Sequence, residues 1–330
     1  MNIYDIAKKS GVSIATISRV LNGGKNVSSK TYQRVMDTIN KEGYTPNIFA
    51  RGLGLDTMQT IGILVTDASD PHYAKIISLL AENLRNLGLN TLLSVTGNDL
   101  VNKQRELQLL LEHRVDAIFL AGSAQQELRG NHHIKEAAKQ VPIIMVNGHI
   151  KAPGVINVSS NESDAVVNCL DKLFESGQKK PLYIYDHITY SGKQKQRGFE
   201  RGLNKHGIKP DASYMLRLKG SLLDMKNALL RAIDKGKSFD CIIASEDRLA
   251  VAAQKALQER QLCLPVIGFN NSILAEVSSP TLTSIDNMLE PLCNLAVELF
   301  RESSKGQTTS THITLDCQLV ERESFQSIGH

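Results

Sequence analysis

The sequence predicts a small all-α helix-turn-helix head followed by an α/β body with parallel sheets. Three observations carry that prediction. Two short apolar-periodic runs meet at Gly11 within the first 22 residues, a third helical pattern follows, and from Thr60 onward strand-length apolar runs alternate with amphipathic helices.

Size and composition bound the rest. At 330 residues the chain has room for one small module and one or two ordinary domains. Its 42% hydrophobic and 22% charged residues sit near globular averages, and no stretch approaches the roughly 18 apolar residues that span a bilayer. The start, Met1-Asn2-Ile3-Tyr4-Asp5, has no apolar signal core, so export and a membrane partner are not expected. Cys169, Cys241, Cys263, Cys293 and Cys317 are scattered and in no metal-ligand spacing, which suits a reducing cytoplasm.

Charge is placed unevenly. Residues 1–60 carry eight Lys/Arg against four acids, which is all of the chain's +4, and the remainder balances. A basic head on a neutral body suits a polyanion, although an ordinary basic surface explains the charge alone equally well.

In the head, Ile3, Ile6 and Ala7 stripe a first helix, and Ile17, Val20 and Leu21 stripe a second. Gly11-Val12-Ser13 supplies a residue free to take positive φ and then a Ser N-cap, the chemistry of a short interhelical turn. On the second helix Thr16, Ile17, Val20 and Leu21 fall on one side, and Ile14, Ala15, Ser18, Arg19 and Asn22 on the other. The second face suits a DNA major groove, where Arg19 could make two hydrogen bonds to guanine while Ile14 and Ala15 meet a thymine methyl. A plain helical hairpin has the same spacing. A third helix runs from Ser29 to about Glu42, after a Ser28 cap and before Gly43. Asn26, Ser28 and Thr31 at its start suit either phosphate contact or simple capping. Pro46 then closes the module.

In the body the predicted strands are 61–65, 91–95, 117–120, 142–146, 181–185, 241–244 and 265–269. Alternation with helices implies parallel sheets, and the number of strands favours two. The runs 115–121 and 239–245 share one design, a sign of duplication. Ligands of such sheets bind past the carboxyl ends of the strands, so two facing sheets would enclose a cleft. Polar residues cluster there: Asp67, Asp70, His72 and Tyr73, then Asn147, Asp186 and His187, Glu246, Asp247 and Arg248, and Asn270 and Asn271. Carboxylates and amides beside an aromatic ring suit the hydroxyls and apolar face of a sugar; each singly is also an ordinary cap or turn former. No nucleophile elbow, zinc-protease or phosphate-loop motif appears, His132-His133 lacks further ligands, and His72 has no nucleophile beside it, so no enzyme, metal or cofactor is expected.

Ile3-Tyr4-Asp5-Ile6-Ala7, Gly11-Val12-Ser13, Thr16 to Asn22, Val27-Ser28, Gly43 to Asn47 and Ala50-Arg51-Gly52-Leu53 together resemble the head of the lactose-repressor (LacI/GalR) family. The resemblance implies Ile14 and Ala15 at the specificity-setting positions, Asn47 among the DNA contacts, and Ala50, Arg51 and Leu53 in a hinge helix that folds on DNA, with Leu53 wedged into the minor groove. Gly52 and Gly54 depart from the pattern and lower helix propensity by about 1 kcal/mol each. The body resembles a type I periplasmic-binding-protein fold, which implies effector contacts at His72, Tyr73, Asn147, Lys195, Asp247 and Asn270. Lys195 stands where the family often has an arginine, and Glu246-Asp247 and Asn270-Asn271 also differ from the common residues. The expected division is a head over 1–46, a hinge over 47–59 and a core over 60–330, with one lobe near 60–160 and 291–320 and the other near 161–290 and 321–330. The resemblance implies a homodimeric, cytoplasmic and nucleoid-associated repressor on pseudo-palindromic operator DNA, controlled by a small effector such as a sugar or sugar derivative. The helices at 76–87 and 250–257 are its candidate pairing surfaces, or ordinary sheet covers. Two alternatives stay open: a repressor needing a purine-like corepressor, and a solute-binding sensor without DNA function.

Overall fold

The computed structural model describes residues 3–21, 27–43, 57–304 and 312–326. Two compact units emerge, one of Met1–Thr60 with Arg114–Asp116, the other of Ile61–His113 with Ala117–His330.

In the first unit α1 (Ile3–Ser10), α2 (Ile14–Leu21) and α3 (Ser29–Glu42) surround one core. Ile6, Ile17, Val20, Val35 and Ile39 fill it, one stripe from each helix, and Ile3, Ala7, Val12, Leu21, Val27 and Met36 seal its edges. The turn has the expected chemistry. Gly11 sits at φ 65°, and Thr16 N donates to Ser13 Oγ over 3.2 Å to open α2. Thr31 N donates to Ser28 Oγ over 3.3 Å, and Gly43 ends α3 in the left-handed conformation.

The second unit contains two six-stranded sheets. The first has the order β11-β5-β4-β3-β1-β2, built from β1 (Thr60–Val65), β2 (Asn90–Val95), β3 (Ala117–Ala121), β4 (Ile143–Val146), β5 (Val155–Ser160) and β11 (His312–Leu315). The second has the order β12-β10-β9-β8-β6-β7, built from β6 (Pro181–Tyr185), β7 (Met215–Arg217), β8 (Cys241–Ala244), β9 (Val266–Phe269), β10 (Thr283–Asp286) and β12 (Gln318–Val320). β3 and β8, the strands of the shared sequence design, occupy equivalent places in the two orders. The aspartate before each does equivalent work: Asp116 accepts from Met58 N and Thr60 N, and Asp240 from Lys179 N and Lys180 N. Both clamp the chain entering the first strand of a sheet.

Helices α4 (Pro71–Asn86), α5 (Leu100–Glu112), α6 (His132–Ala137) and α12 (Leu289–Ser304) belong to the first lobe. The second lobe holds α7 (Glu162–Glu175), α8 (Tyr190–Lys205), α9 (Leu222–Asp234), α10 (Asp247–Glu259) and α11 (Ile273–Val277). Ile76, Leu80 and Leu84 of α4 and Leu292, Ala296 and Phe300 of α12 pack on Ile63, Phe119 and Ile144 of the first sheet. The second sheet is covered on one side by Met225, Leu229, Leu249 and Ala253 and on the other by Val166, Leu170, Phe199 and Leu203. Central strands buried on both faces explain why their sequences read as unbroken apolar runs.

The seven anticipated strands end within a residue of their expected limits. β5, β7, β10, β11 and β12 were not anticipated. β7 and β12 are three residues long, while β5 and β10 bury Asn157, Ser159, Ser160, Thr283 and Ser284, side chains that do not read as strand core. β12 pairs antiparallel with β10, so Gln318–Val320 belongs to the second lobe and the expected boundary at 320 is too late. Only Asp316 and Cys317 separate β11 from β12, and no Gly or Pro marks the crossing. The strands that pass between lobes are tied together: Ser160 Oγ donates to Asn287 O over 2.7 Å, and Asn161 N to Leu315 O over 2.7 Å.

Candidate functional site

Past the carboxyl ends of strands from both sheets lies a cavity of about 230 Å3. That is small beside the roughly 300–1,000 Å3 of drug-sized pockets and is on the scale of a monosaccharide.

On the first lobe, Asp70 caps α4: its Oδ1 accepts from His72 N at 2.8 Å and Tyr73 N at 3.4 Å, and Pro71 follows at the first helical position. The cap sets the next two side chains against the cavity. The Tyr73 ring lies over Gly122, whose φ is 86° and where a Cβ would sit 2.3 Å from Tyr73 Cε1, so only glycine allows the ring this position. Burial pushes the His72 imidazole down to about 3, with the Lys195 charge adding to it. Its Nδ1 is buried without a hydrogen-bond partner. Asp67 lies beside them, its Oδ1 accepting from Ser69 N and Oγ, bonds that lower its pKa. Asn147, just past β4, holds φ 55°.

On the second lobe, α8 carries Lys195, 5% exposed. Its Nζ donates to Ser245 O over 2.9 Å, lies 3.7 Å from Glu162 Oε1 and stands 3.8 Å from the centre of the Phe269 ring. Buried Glu162 also accepts from Ser191 Oγ and, at 3.3 Å, from Asn147 Nδ2, which links the lobes through one carboxylate. Asp186 and Glu246 form a carboxyl pair. Burial would raise Asp186, but the His187 ring at 2.7 Å and the shared proton with Glu246 hold it well below the carboxylate range. Glu246 takes the opposite shift, pushed up to about 7 by burial and then by Asp186. Arg248 Nη2 reaches both, at 3.0 and 3.3 Å.

The structure therefore brings together Asp70, His72, Tyr73, Asn147, Lys195 and Asn270 on one cavity wall. Asp247 is not among them. Its carboxylate accepts from Ser272 N at 2.6 Å, Ser272 Oγ at 2.8 Å and Ser284 Oγ at 2.6 Å, bracing the start of α10 against β10. Its flanking residues Glu246 and Arg248 line the cavity instead, because Glu246 is the extended N-cap and Asp247 already opens the helix. Asn98, Ser123 and Ser191 also line it and were not singled out; the strand-end rule applied after β2 and β3 points to the first two. Arg197 is exposed, so the point charge of Lys195 is the cation the cavity receives from α8.

In the head, Ile14, Ala15 and Arg19 are exposed and Ser18 half-buried, while Ile17 and Val20 face the core. Ser28 is exposed and Thr31 half-buried at the start of α3. Asn22, Asn26, Asn47, Ala50, Arg51 and Leu53 lie outside the described residues. Among the described residues no helix is long and apolar enough to cross a membrane.

A helix-turn-helix unit joined to a two-lobed α/β body with a polar cleft defines a DNA-binding, ligand-responsive class of regulator. Residues 58–326 match the family described as periplasmic binding proteins and sugar binding domain of LacI family, and residues 2–47 match the bacterial regulatory proteins of the lacI family. The chain belongs to the LacI family of transcriptional regulators, with a DNA-binding and an effector-binding domain. An HTH-type transcriptional regulator of Lachnoclostridium phytofermentans is 40% identical, covering 98% of this chain and 99% of the relative. The lac repressor dimer bound to operator and the anti-inducer ONPF has a TM-score of 0.86 at 20% identity, covering 98% of both chains. The transcriptional regulator CelR in complex with cellobiose has a TM-score of 0.69 at 22% identity, covering 98% of this chain and 100% of that one.

Proposed function

We propose that the protein is a homodimeric repressor that binds a pseudo-palindromic operator and changes its grip on DNA when a sugar-class molecule occupies the cleft. The cavity wall carries this reading: carboxylates, amides and the Tyr73 ring converge on one monosaccharide-sized space lined by both lobes. A ligand touching both lobes favours one lobe arrangement over another, and that difference in affinity is what control of DNA binding requires. The lac repressor dimer, bound to operator and the anti-inducer ONPF, and CelR, bound to cellobiose, support the same assignment. On DNA, Ile14, Ala15, Ser18, Arg19 and Asn22 read the major groove. Asn26, Ser28, Thr31 and Asn47 contact the backbone, and Ala50, Arg51 and Leu53 form the hinge that enters the minor groove. The site of action is the cytoplasmic nucleoid.

Footprinting of the purified chain at ~0.15 M salt with competitor DNA tests the head. A palindromic footprint that sugar releases is expected; no protected site overturns the reading. Ligand that tightens operator binding would convert it to corepression.

A further inference from the structure

The cavity wall is short of cations. Asp67, Asp70, Asp186 and Glu246 line it, and buried Glu162 stands behind Lys195. Lys195, Arg248 and the His187 imidazole, its pKa raised by Asp186, are the opposing charges, and all three are engaged: Lys195 with Ser245 O and Glu162, Arg248 with Asp186 and Glu246, and His187 Nδ1 with Asp186 at 2.7 Å. The backbone amides at the starts of α4 and α8 are also taken. Asp70 occupies the first amides of α4, while Ser123 Oγ and Thr189 Oγ1 take Ser191 N and Gly192 N of α8. Open acceptors remain. Asp70 bonds through Oδ1 alone among the described residues, and the buried Nδ1 of His72 has no partner. Burial, Asp186 and Asp70 together raise the Glu246 pKa, and the proton it keeps relieves part of the repulsion on this wall.

Building on the effector reading above, we propose that the cleft takes an amino sugar, a monosaccharide bearing a protonated primary amine that lies against Asp70 and the Asp186–Glu246 pair. Hydroxyls of a neutral sugar satisfy the open acceptors but leave the charge unanswered. An ammonium group supplies three donors and the missing charge at once. A phosphate ester brings further negative charge to a wall where carboxyl groups already outnumber the cations.

Calorimetric titration of the full chain separates these ligands. The probes are glucosamine, galactosamine and mannosamine, their parent hexoses, their N-acetyl derivatives and the hexose phosphates. One amine is expected to bind about tenfold or more tightly than its parent hexose and its N-acetyl form, the effect of one added charge-assisted contact. No phosphate ester should bind. Asp70→Asn keeps a competent helix cap while removing the charge, so it should weaken the amine by a larger factor than the parent hexose and so shrink the ratio between them; Glu246→Gln should shift that ratio in the same direction. Equal or better binding of a neutral hexose, an N-acetyl sugar or a phosphate sinks the amine assignment while the sugar-effector reading survives. A titration in which no sugar binds sinks both.

Discussion

At the cavity wall one proton is shared where two carboxyls want none, and this makes stability depend on pH in a definite direction. Folded Glu246 holds a proton to about pH 7, whereas the unfolded chain releases it near its ordinary 4.5. Its contribution is therefore lost as pH rises toward and through 7. His187 has the same sign, its pKa raised by the Asp186 carboxylate. His72 has the opposite sign: pushed down to about 3 in the fold, it costs stability as pH falls below its ordinary 6.5 and contributes fully above that. Above pH 6.5, then, Glu246 and His187 titrate while His72 does not, and thermal stability should fall as pH rises to about 8. In Glu246→Gln that slope should flatten; equal slopes in a melting series across this window would refute the assignment. In the head, Arg19→Ala should cost about 1–3 kcal/mol of discrimination between the operator and a variant at the contacted base pair. Binding measured on both DNAs checks it. Much of this was readable from residue type and position, since the faces of α2 follow from helical periodicity and the cavity residues from their places after strands. Asp247 was not, because an aspartate at a helix start looks the same whether it faces a ligand or two serines brought from α11 and β10.

That buried aspartate matters at the scale of elements. Replacing Asp247 with alanine leaves the Ser272 and Ser284 hydroxyls without their acceptor, at roughly 1–3 kcal/mol for each buried group. Ligand affinity should change less than stability, which paired melting and calorimetry would show. Helices α7 and α8 make a second sensitive joint. A Cβ on Gly198 would lie 2.3 Å from Ser163 O, so the helices approach as closely as they do only because Gly198 has no side chain. Gly198→Ala should force them apart, lowering stability by about 1–3 kcal/mol. An unchanged melting temperature would show that the joint has slack. The sequence pattern marked the central strands far more clearly than β5 and β10. Strands buried on both faces announce themselves as apolar runs, whereas β5 and β10 bury polar side chains that only their tertiary partners satisfy, as Asn157 does by bonding Ile150 N and O.

For the whole molecule, control of DNA by a cleft ligand is a coupling between two sites, and coupling is reciprocal. Whatever factor an effector imposes on operator affinity, operator must impose on effector affinity; calorimetry of the effector with and without operator DNA should return the same factor. A mismatch would mean that the ligand and DNA are not linked through one equilibrium. The linear sequence by itself determined the helix-turn-helix head, its exposed reading face, the alternation that makes two parallel sheets and the rule that puts polar residues at a cleft. Each depends on local periodicity, capping or turn chemistry, which neighbours along the chain are enough to specify. Only the tertiary structure decided that β12 crosses to the second lobe, that Asp247 turns inward while Glu246 and Arg248 face the cavity, and that carboxylates from both lobes outnumber the cations there. Those outcomes depend on which distant residues share a low-dielectric space, and spacing along one chain does not encode that.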